Sequence, residues 1–210
     1  MLKLYGTPPT RALRAIWLLN ELGLEYELHP VDLMQGEHYQ QEFLALNPAA
    51  RVPVLVDGSL VVTESAAIQL YLAEKCPQAG LIPDSVEDRA QMYRWIFFLV
   101  TEIEQPLWRI ARHTFLYPKE KQLPQDVELA KQECLEMLAV LERHMSEREF
   151  MAGDHISVAD FNAAYTLDWA NTEKLLEGSP RLQGYLKAMY ARPTAPITIA
   201  EAFAAMGIPA

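Results

Sequence analysis

Cysteine is scarce in this chain: only Cys76 and Cys134 occur among 210 residues. They lie far apart and form no Cys-x-x-Cys or mixed Cys/His spacing, which excludes a disulfide-framed scaffold and a zinc-ribbon type of site. Each is expected to be a small buried hydrophobe or a free thiol, as in a reducing compartment. We therefore expect a cytoplasmic protein.

Long apolar runs and basic patches are also missing. No run approaches the roughly 18–20 residues that span a bilayer. The opening residues, Met1–Tyr5, have the pattern of a strand rather than a signal peptide. The chain has 18 Lys and Arg against 28 Asp and Glu, a formal net charge of −10, which repels a polyanion. We expect a soluble protein that binds neither membrane nor nucleic acid.

Signatures of metal and nucleotide sites are lacking as well. The five histidines are scattered without an i, i+4 pair, and no Gly-x-Gly-x-x-Gly or Gly-Lys-Ser/Thr loop occurs. The sequence predicts no bound metal or nucleotide. Hydrophobic residues, in contrast, make up 50% of the 210-residue chain. They are enough to form the core of one large domain or of two small ones.

The first part of the chain alternates strand and helix patterns. Short apolar runs predict strands over 2–5 and 25–31. Residues 12–22 between them repeat apolar positions at helical spacing, with Thr10 as a fair N-cap and Gly23 as the stop. Because a helix separates the two strands, they should be parallel with a right-handed crossover.

A hairpin and another helix complete this part. A short helix is predicted within 40–46, and Asp57-Gly58 predicts a tight hairpin turn between β-branched runs over 54–62. The second strand of the hairpin leads directly into a helix from Thr63 to about residue 75. The order βαβ, then α, then ββα predicts an α/β thioredoxin-like domain over residues 1–76.

The rest of the chain has only helical patterns. Residues 77–85 form a Pro/Gly-bearing linker, and residues 86–210 are predicted to be an all-α domain. Helices are expected at about 92–110 with a kink at Pro106, 126–148, from Ser157 onward, 180–191 and 197–205. Ser157 and Asp160 form a capping-box pattern, which we interpret as a helix start and not as a catalytic feature.

The hairpin stretch also suggests an anion site. A helix that begins near Glu64-Ser65 directs its N-terminus at the region next to Pro53. The first turn of a helix offers free N–H groups and a positive dipole, which stabilise an anion. This arrangement predicts a pocket for a carboxylate.

The residues of this stretch carry a family resemblance. Asn-Pro-x-x-Arg-Val-Pro-Val-Leu at 47–55, Asp-Gly at 57–58 and Thr-Glu-Ser at 63–65 resemble the glutathione-binding segment of cytosolic glutathione transferases. The resemblance implies a cis peptide bond before Pro53 and glutathione as co-substrate. It implies glutathione contacts by Arg51, Val52, Pro53, Glu64 and Ser65. The expected type is a bacterial, serine/threonine-type enzyme with a phi- or theta-like glutathione site.

A glutathione transferase needs a group that stabilises the glutathione thiolate, since a free thiol with a pKa of about 8.5 is mostly protonated at neutral pH. The candidate is Thr10, which ends the loop before a helix and precedes Arg14 by four residues, an offset at which serine-type relatives carry their catalytic Ser. Thr7 is the second choice and Tyr5 the third. Thr10 is otherwise simply an N-cap. Thr in place of Ser has stiffer χ1 preferences, so a backbone N–H is an alternative donor to the sulfur.

The glycyl end of glutathione needs a second anion receptor. Gly36-Glu37-His38 resembles the phi-class segment in which a His and the following Lys bind the glycyl carboxylate. Here Tyr39 stands in place of that Lys, and Arg51 is expected to compensate through a bidentate contact. A solvated loop histidine is the alternative interpretation of His38.

The family also implies an electrophile pocket and a homodimer. Five residues of the helical domain are candidates for the pocket: Trp108, Arg112, Phe115, Tyr117 and Trp169. The expected function is conjugation of glutathione to small hydrophobic electrophiles in detoxification. A glutathione-dependent peroxidase and a non-catalytic binding or regulatory protein of the same fold are the alternatives.

Overall fold

The computed structural model of this protein describes residues 1–207. Packing divides the chain into two compact units, residues 1–82 together with the chain from Arg192 onward, and residues 83–191. Residues 192–207 thus return to the first unit, where Arg192 and Thr194 both contact the carboxylate of Glu21. The assignment of 1–76, 77–85 and 86–210 to a glutathione-binding domain, a linker and a substrate domain stays a prediction.

The first unit contains the four-stranded sheet that the sequence predicts. Its strands are β1 (Leu2–Tyr5), β2 (Tyr26–His29), β3 (Val54–Asp57) and β4 (Leu60–Thr63), in the order β2-β1-β3-β4. The pair β1–β2 is parallel and the other two pairs are antiparallel. The mixed sheet of a thioredoxin-like domain is confirmed. Strand β2 is shorter than predicted and is an edge strand with two exposed residues.

Helices α1 (Ala12–Glu21) and α3 (Ser65–Lys75) contact each other and the sheet. Their apolar faces and the central strands form the core; Leu4, Leu18, Leu55, Ile68 and Leu72 are fully buried. Helix α2 (Gln41–Leu44) contributes Phe43 to a second small cluster with Val31 and Val54. Helix α9 (Ile199–Ala205) also belongs to this unit.

The second unit is helical throughout. Its helices are α4 (Val86–Phe98), α5 (Glu104–Ala111), α6 (Pro124–Met145), α7 (Val158–Thr172) and α8 (Pro180–Tyr190). The long helix expected over 92–110 is interrupted by a π turn at Leu99–Ile103. Pro106 has no N–H and its ring crowds the carbonyl four residues earlier, so the irregular turn lies on its N-terminal side. Within residues 1–207, no helix is long and apolar enough to cross a membrane.

Helix α7 begins with the predicted capping box. The N–H and Oγ of Ser157 donate to Oδ2 of Asp160 at 2.8 and 3.0 Å. The N–H of Met151 and the hydroxyl of Tyr185 donate to Oδ1, each at 2.8 Å. The buried carboxylate therefore ties the preceding loop and α8 to the start of α7, which is a structural role.

Candidate functional site

The end of β1, the start of α1 and the start of β3 meet closely at Gly6. A Cβ placed on Gly6, whose φ is +155°, would lie 2.8 Å from Cβ of Ala12 and 3.7 Å from Cα of Pro53. Only glycine permits this approach without displacement. As a result, the loop that carries Thr7 and Thr10 lies beside the segment that carries Pro53.

Thr10 is half-buried at the start of α1, and its hydroxyl has two partners. Oγ1 donates to the carbonyl of Thr7 at 2.5 Å and accepts from the N–H of Ala12 at 3.2 Å. The prediction that Thr10 is the N-cap is off by one position: α1 begins after Arg11, whose side chain makes no capping hydrogen bond, and Thr10 contacts the first residue of the helix from the turn before it. The same hydroxyl would have to rotate away from the Thr7 carbonyl to donate to a sulfur. The hydroxyl of Thr7 donates over a longer distance, 3.4 Å, to the carbonyl of Pro8.

The segment before β3 has backbone groups without hydrogen-bond partners in the described part of the chain. The Val52–Pro53 bond is cis, as the resemblance implies. Within residues 1–207, the backbone N–H and C=O of Val52 make no hydrogen bond, whereas backbone groups in folded proteins are almost always paired. A bound extended peptide would pair with both groups, as an added strand does at a sheet edge.

Asn47 positions this segment and is a residue that sequence reasoning missed. It is buried; its Nδ2 donates to the carbonyl of Arg51 at 2.8 Å, and its Oδ1 accepts from the N–H of Ala49 at 3.1 Å. These bonds close a loop in which Ala50 has a φ of +52°. The available signal was the Asn-Pro pair itself, since Asn side chains hydrogen-bond nearby backbone in turns.

Glu64 and Ser65 lie at the N-terminus of α3. Glu64 is exposed and has φ and ψ of +66° and +114°, which is uncommon for a residue with a side chain and occurs often at ligand sites. Ser65 is buried, and its Oγ accepts a hydrogen bond from Nη1 of Arg14 at 3.2 Å. The two residues therefore sit where the helix dipole favours an anion.

His38 and Arg51, the two candidates for the glycyl carboxylate, are electrostatically coupled. Burial, and secondarily the positive charge of Arg51, lower the pKa of His38 below its ordinary value. The rings of His38 and Tyr39 are tilted by 42° with centroids 4.0 Å apart, and the buried Nδ1 of His38 has no partner among the described residues. Arg51 is exposed and donates to the carbonyl of Ala50 at 3.1 Å. A carboxylate near both would supply the negative charge that this cluster lacks.

Three of the five candidate pocket residues come together in the second unit. The rings of Trp108 and Trp169 meet edge to face with centroids 5.2 Å apart, and the Arg112 guanidinium lies 5.8 Å from the Trp108 centroid. Phe115 lies in the following turn and is 59% exposed. Tyr117 contacts His113 edge to face and is 38% exposed. Whether these side chains meet an electrophile stays a prediction.

The chain's own thiols are poor nucleophiles. Cys76 and Cys134 are both buried, and burial raises the pKa of Cys134 to about 12. In residues 1–207, no group of three or more His, Cys, Asp or Glu side chains is placed to hold a metal ion. The buried thiols of Cys76 and Cys134 are therefore not candidates for a nucleophile.

Comparisons with known proteins match both units. The family model described as "Glutathione S-transferase, N-terminal domain" matches residues 1–74, and "Glutathione S-transferase, C-terminal domain" matches residues 124–188. Glutathione S-transferase F9 of Arabidopsis thaliana is 38% identical over 165 residues, 76% of each chain. Glutathione S-transferase 3 of Zea mays is 32% identical over 208 residues, covering 95% of this chain and 93% of the maize protein.

A solved structure agrees with the sequence matches. Glutathione transferase URE2P8 of Phanerochaete chrysosporium, solved with oxidized glutathione, superimposes with a TM-score of 0.85 at 25% identity. The match covers 98% of this chain and 96% of that protein. The fold, the two family models and the relatives above 30% identity lead to one conclusion: this chain belongs to the glutathione S-transferase family.

Proposed function

We propose that this protein conjugates the thiolate of glutathione to small hydrophobic electrophiles, as a cytoplasmic homodimer in detoxification. The observation that carries the proposal is the unpaired backbone of Val52 next to cis-Pro53. It lies beside the loop that carries Thr10, which Gly6 brings against Pro53. A short peptide with a central thiol fits this arrangement, since its backbone pairs with Val52 and its sulfur points to the start of α1.

The ends of glutathione are assigned to two anion receptors. The γ-glutamyl carboxylate is placed at Glu64-Ser65, where helix N–H groups and the Ser65 hydroxyl donate. The ammonium of the same residue pairs with the exposed carboxylate of Glu64. The glycyl carboxylate is placed between His38 and Arg51. This arrangement is a phi- or theta-like glutathione site of the serine/threonine type.

The chemical step is a nucleophilic substitution. The glutathione thiol loses its proton to solvent, and the Thr10 hydroxyl turns from the Thr7 carbonyl to the sulfur and stabilises the thiolate. The sulfur then forms a bond to the electrophilic carbon, and the leaving group departs with its electron pair. Trp108 and Trp169 supply apolar surface for the electrophile, and Arg112 favours substrates that carry an anionic or carbonyl group.

A binding function without turnover is the second candidate, because one observation favours it. The Thr10 hydroxyl already has an acceptor in the Thr7 carbonyl at 2.5 Å, so donation to sulfur costs that bond. If the bond persists when glutathione is bound, the thiol stays largely protonated and the protein holds glutathione without activating it.

Calorimetric titration with glutathione, beside turnover assays with an aryl halide and with cumene hydroperoxide, tests these functions. The proposal predicts saturable binding and conjugation of the aryl halide. Turnover of the hydroperoxide alone would indicate the peroxidase, and binding without either turnover would indicate the binding protein. Absence of binding would refute the glutathione site.

The assignment of the glycyl carboxylate has its own test. Replacing Arg51 by methionine removes the positive charge and keeps much of the apolar length of the side chain. Affinity for glutathione is expected to fall by about tenfold, the loss of one charge-assisted hydrogen bond, while affinity for γ-glutamylcysteine, which lacks glycine, is unchanged. An equal loss for both ligands would remove Arg51 from the glycyl end.

A further inference from the structure

A buried arginine joins the two helices that carry the proposed glutathione contacts. Arg14 of α1 is 1% exposed, and its Nη1 donates to Oγ of Ser65 at 3.2 Å. In the opposite direction, Nε2 of Gln69 in α3 donates to the backbone carbonyl of Arg14 at 3.1 Å. Thr10 precedes α1 and Ser65 begins α3. Arg14 therefore connects the thiol end of the proposed site with its γ-glutamyl end.

The direction of the Arg14–Ser65 bond decides what Ser65 offers to a ligand. A serine hydroxyl has one O–H donor and two acceptor lone pairs, whereas a guanidinium has donors only and keeps its charge at every accessible pH. Arg14 therefore occupies a lone pair of Ser65 and leaves the O–H to find an acceptor elsewhere. A carboxylate accepts only. Ser65 is thereby set to donate to an anion rather than to accept from a cation.

Burial favours a hydrogen bond from Ser65 to a ligand over one to water. The Ser65 residue is 5% exposed, so water competes little for its hydroxyl. Gln69, 0% exposed, lies one helical turn below Ser65 and joins α3 to the backbone of α1 at the carbonyl of Arg14. The guanidinium approaches Ser65 from the buried interior, on a different helix from the residue it orients.

We propose that Arg14 is a positioning residue for the γ-glutamyl carboxylate of glutathione: it fixes the Ser65 hydroxyl as a donor to that carboxylate. This inference rests on the proposed function, which supplies the ligand of Ser65. Its effect on the ligand passes through the hydrogen bond to Ser65.

Two ligands separate this role from a purely structural one. Affinity is measured by calorimetry for glutathione and for an analogue in which the γ-glutamyl residue lacks its α-carboxylate. Arg14→Met is expected to lower the affinity for glutathione about tenfold, because the hydrogen bond from Ser65 to the charged carboxylate is misdirected. The affinity for the analogue is expected to stay unchanged. Gln69→Met is the matched control; it removes an α1–α3 bond to the backbone of Arg14 that does not involve Ser65, and it is expected to affect both ligands equally.

An equal loss of affinity for both ligands in Arg14→Met, or no loss for either, would overturn the inference. Should Arg14→Met fail to fold, Arg14→Lys keeps a charge without the planar fork and is expected to show a smaller loss, again for glutathione only. In a Ser65→Ala background, Arg14→Lys is expected to have no further effect on affinity, and a further loss would overturn the inference. If the wild type binds no glutathione, the proposed function fails first; if it binds and Arg14 has no selective effect, only this inference fails.

Discussion

Replacing Asp160 by asparagine tests the buried carboxylate that begins α7. Its two oxygens accept four hydrogen bonds: from the N–H groups of Met151 and Ser157 and from the hydroxyls of Ser157 and Tyr185. Burial raises the pKa of Asp160, while these donors favour the ionised form. The substitution keeps the shape of the side chain and turns one oxygen into an NH₂ donor.

The loss of stability in Asp160→Asn depends on which donors lose their acceptor. Hydroxyls can rotate, but a backbone N–H cannot, so either Met151 or Ser157 is left with a buried N–H facing an NH₂ group. An unsatisfied buried group costs about 1–3 kcal/mol, and a lost charge-assisted bond about 1.5–3 kcal/mol. We expect Asp160→Asn to lower the free energy of unfolding by about 3–5 kcal/mol, a large part of a typical total of about 5–15 kcal/mol.

Equilibrium urea denaturation measures this loss, provided that both proteins unfold reversibly in one transition. Asp154→Asn, an exposed position in the same loop, is the control and is expected to change little. A loss below about 1 kcal/mol for Asp160→Asn would refute the reasoning and show that the fold holds this carboxyl in its neutral form.

Three further substitutions give distinct expectations. Asn47→Ala removes both bonds that hold the loop before Val52, so the KM for glutathione should rise about tenfold with a smaller change in kcat, measured by steady-state kinetics. Asp57→Asn should destabilise the protein at neutral pH, because Lys75 and a tyrosine hydroxyl lower the pKa of Asp57 from its ordinary 3.8. The stability that the ionised carboxylate contributes is present above that value and is lost as the pH falls below it, which denaturation at several pH values checks. His38→Gln should abolish a rise in glutathione affinity that the wild type shows at acidic pH, because the lowered pKa of His38 places the gain of its proton below the ordinary histidine value of 6.5.

Each of these has a result that would contradict it. An unchanged KM in Asn47→Ala would mean that the loop keeps its shape without the side chain. A constant stability difference between wild type and Asp57→Asn down to strongly acidic pH would show that the ionised carboxylate is not what stabilises the hairpin. The same pH dependence of affinity in wild type and His38→Gln would assign it to another group.

Local chemistry made much of the first unit predictable. The Asp57-Gly58 pair predicts the hairpin because both positions tolerate positive φ, and Gly58 has a φ of +61°. The parallel β1–β2 pair follows from the helix between its strands. In the second unit, the capping box at Ser157 and Asp160 was equally visible, since both partners lie within one helical turn.

Contacts between distant residues were not predictable in the same way. Arg14 and Ser65 are 51 positions apart, and nothing in the local pattern indicates that a helical arginine should be buried. The π turn at Leu99–Ile103 was missed because periodicity continues through it, although Pro106 showed that the helix could not be regular. The hydrogen bonds of Arg192 and Thr194 to Glu21 likewise depend on packing that no local motif encodes.

In the candidate site as well, the residues could be selected from the sequence, whereas their contacts could not be predicted. Thr10, Arg51, Val52, Pro53, Glu64 and Ser65 were selected through a family resemblance, and their roles toward glutathione stay predictions. The hydrogen bond between the Thr10 hydroxyl and the Thr7 carbonyl became visible only in the structure, because it depends on how the loop closes. That bond raises the main question about catalysis.

The most direct measurement of the central claim is the pKa of glutathione bound to the enzyme. Ultraviolet absorbance of the thiolate is followed against pH in the wild type and in Thr10→Val, which keeps the branched shape and removes the hydroxyl. If the Thr10 hydroxyl stabilises the thiolate, the bound thiol ionises well below about 8.5 in the wild type and returns toward that value in Thr10→Val, with glutathione affinity largely kept. The same depressed pKa in both proteins would contradict this role of Thr10 and assign the stabilisation of the thiolate to Thr7 or to a backbone N–H.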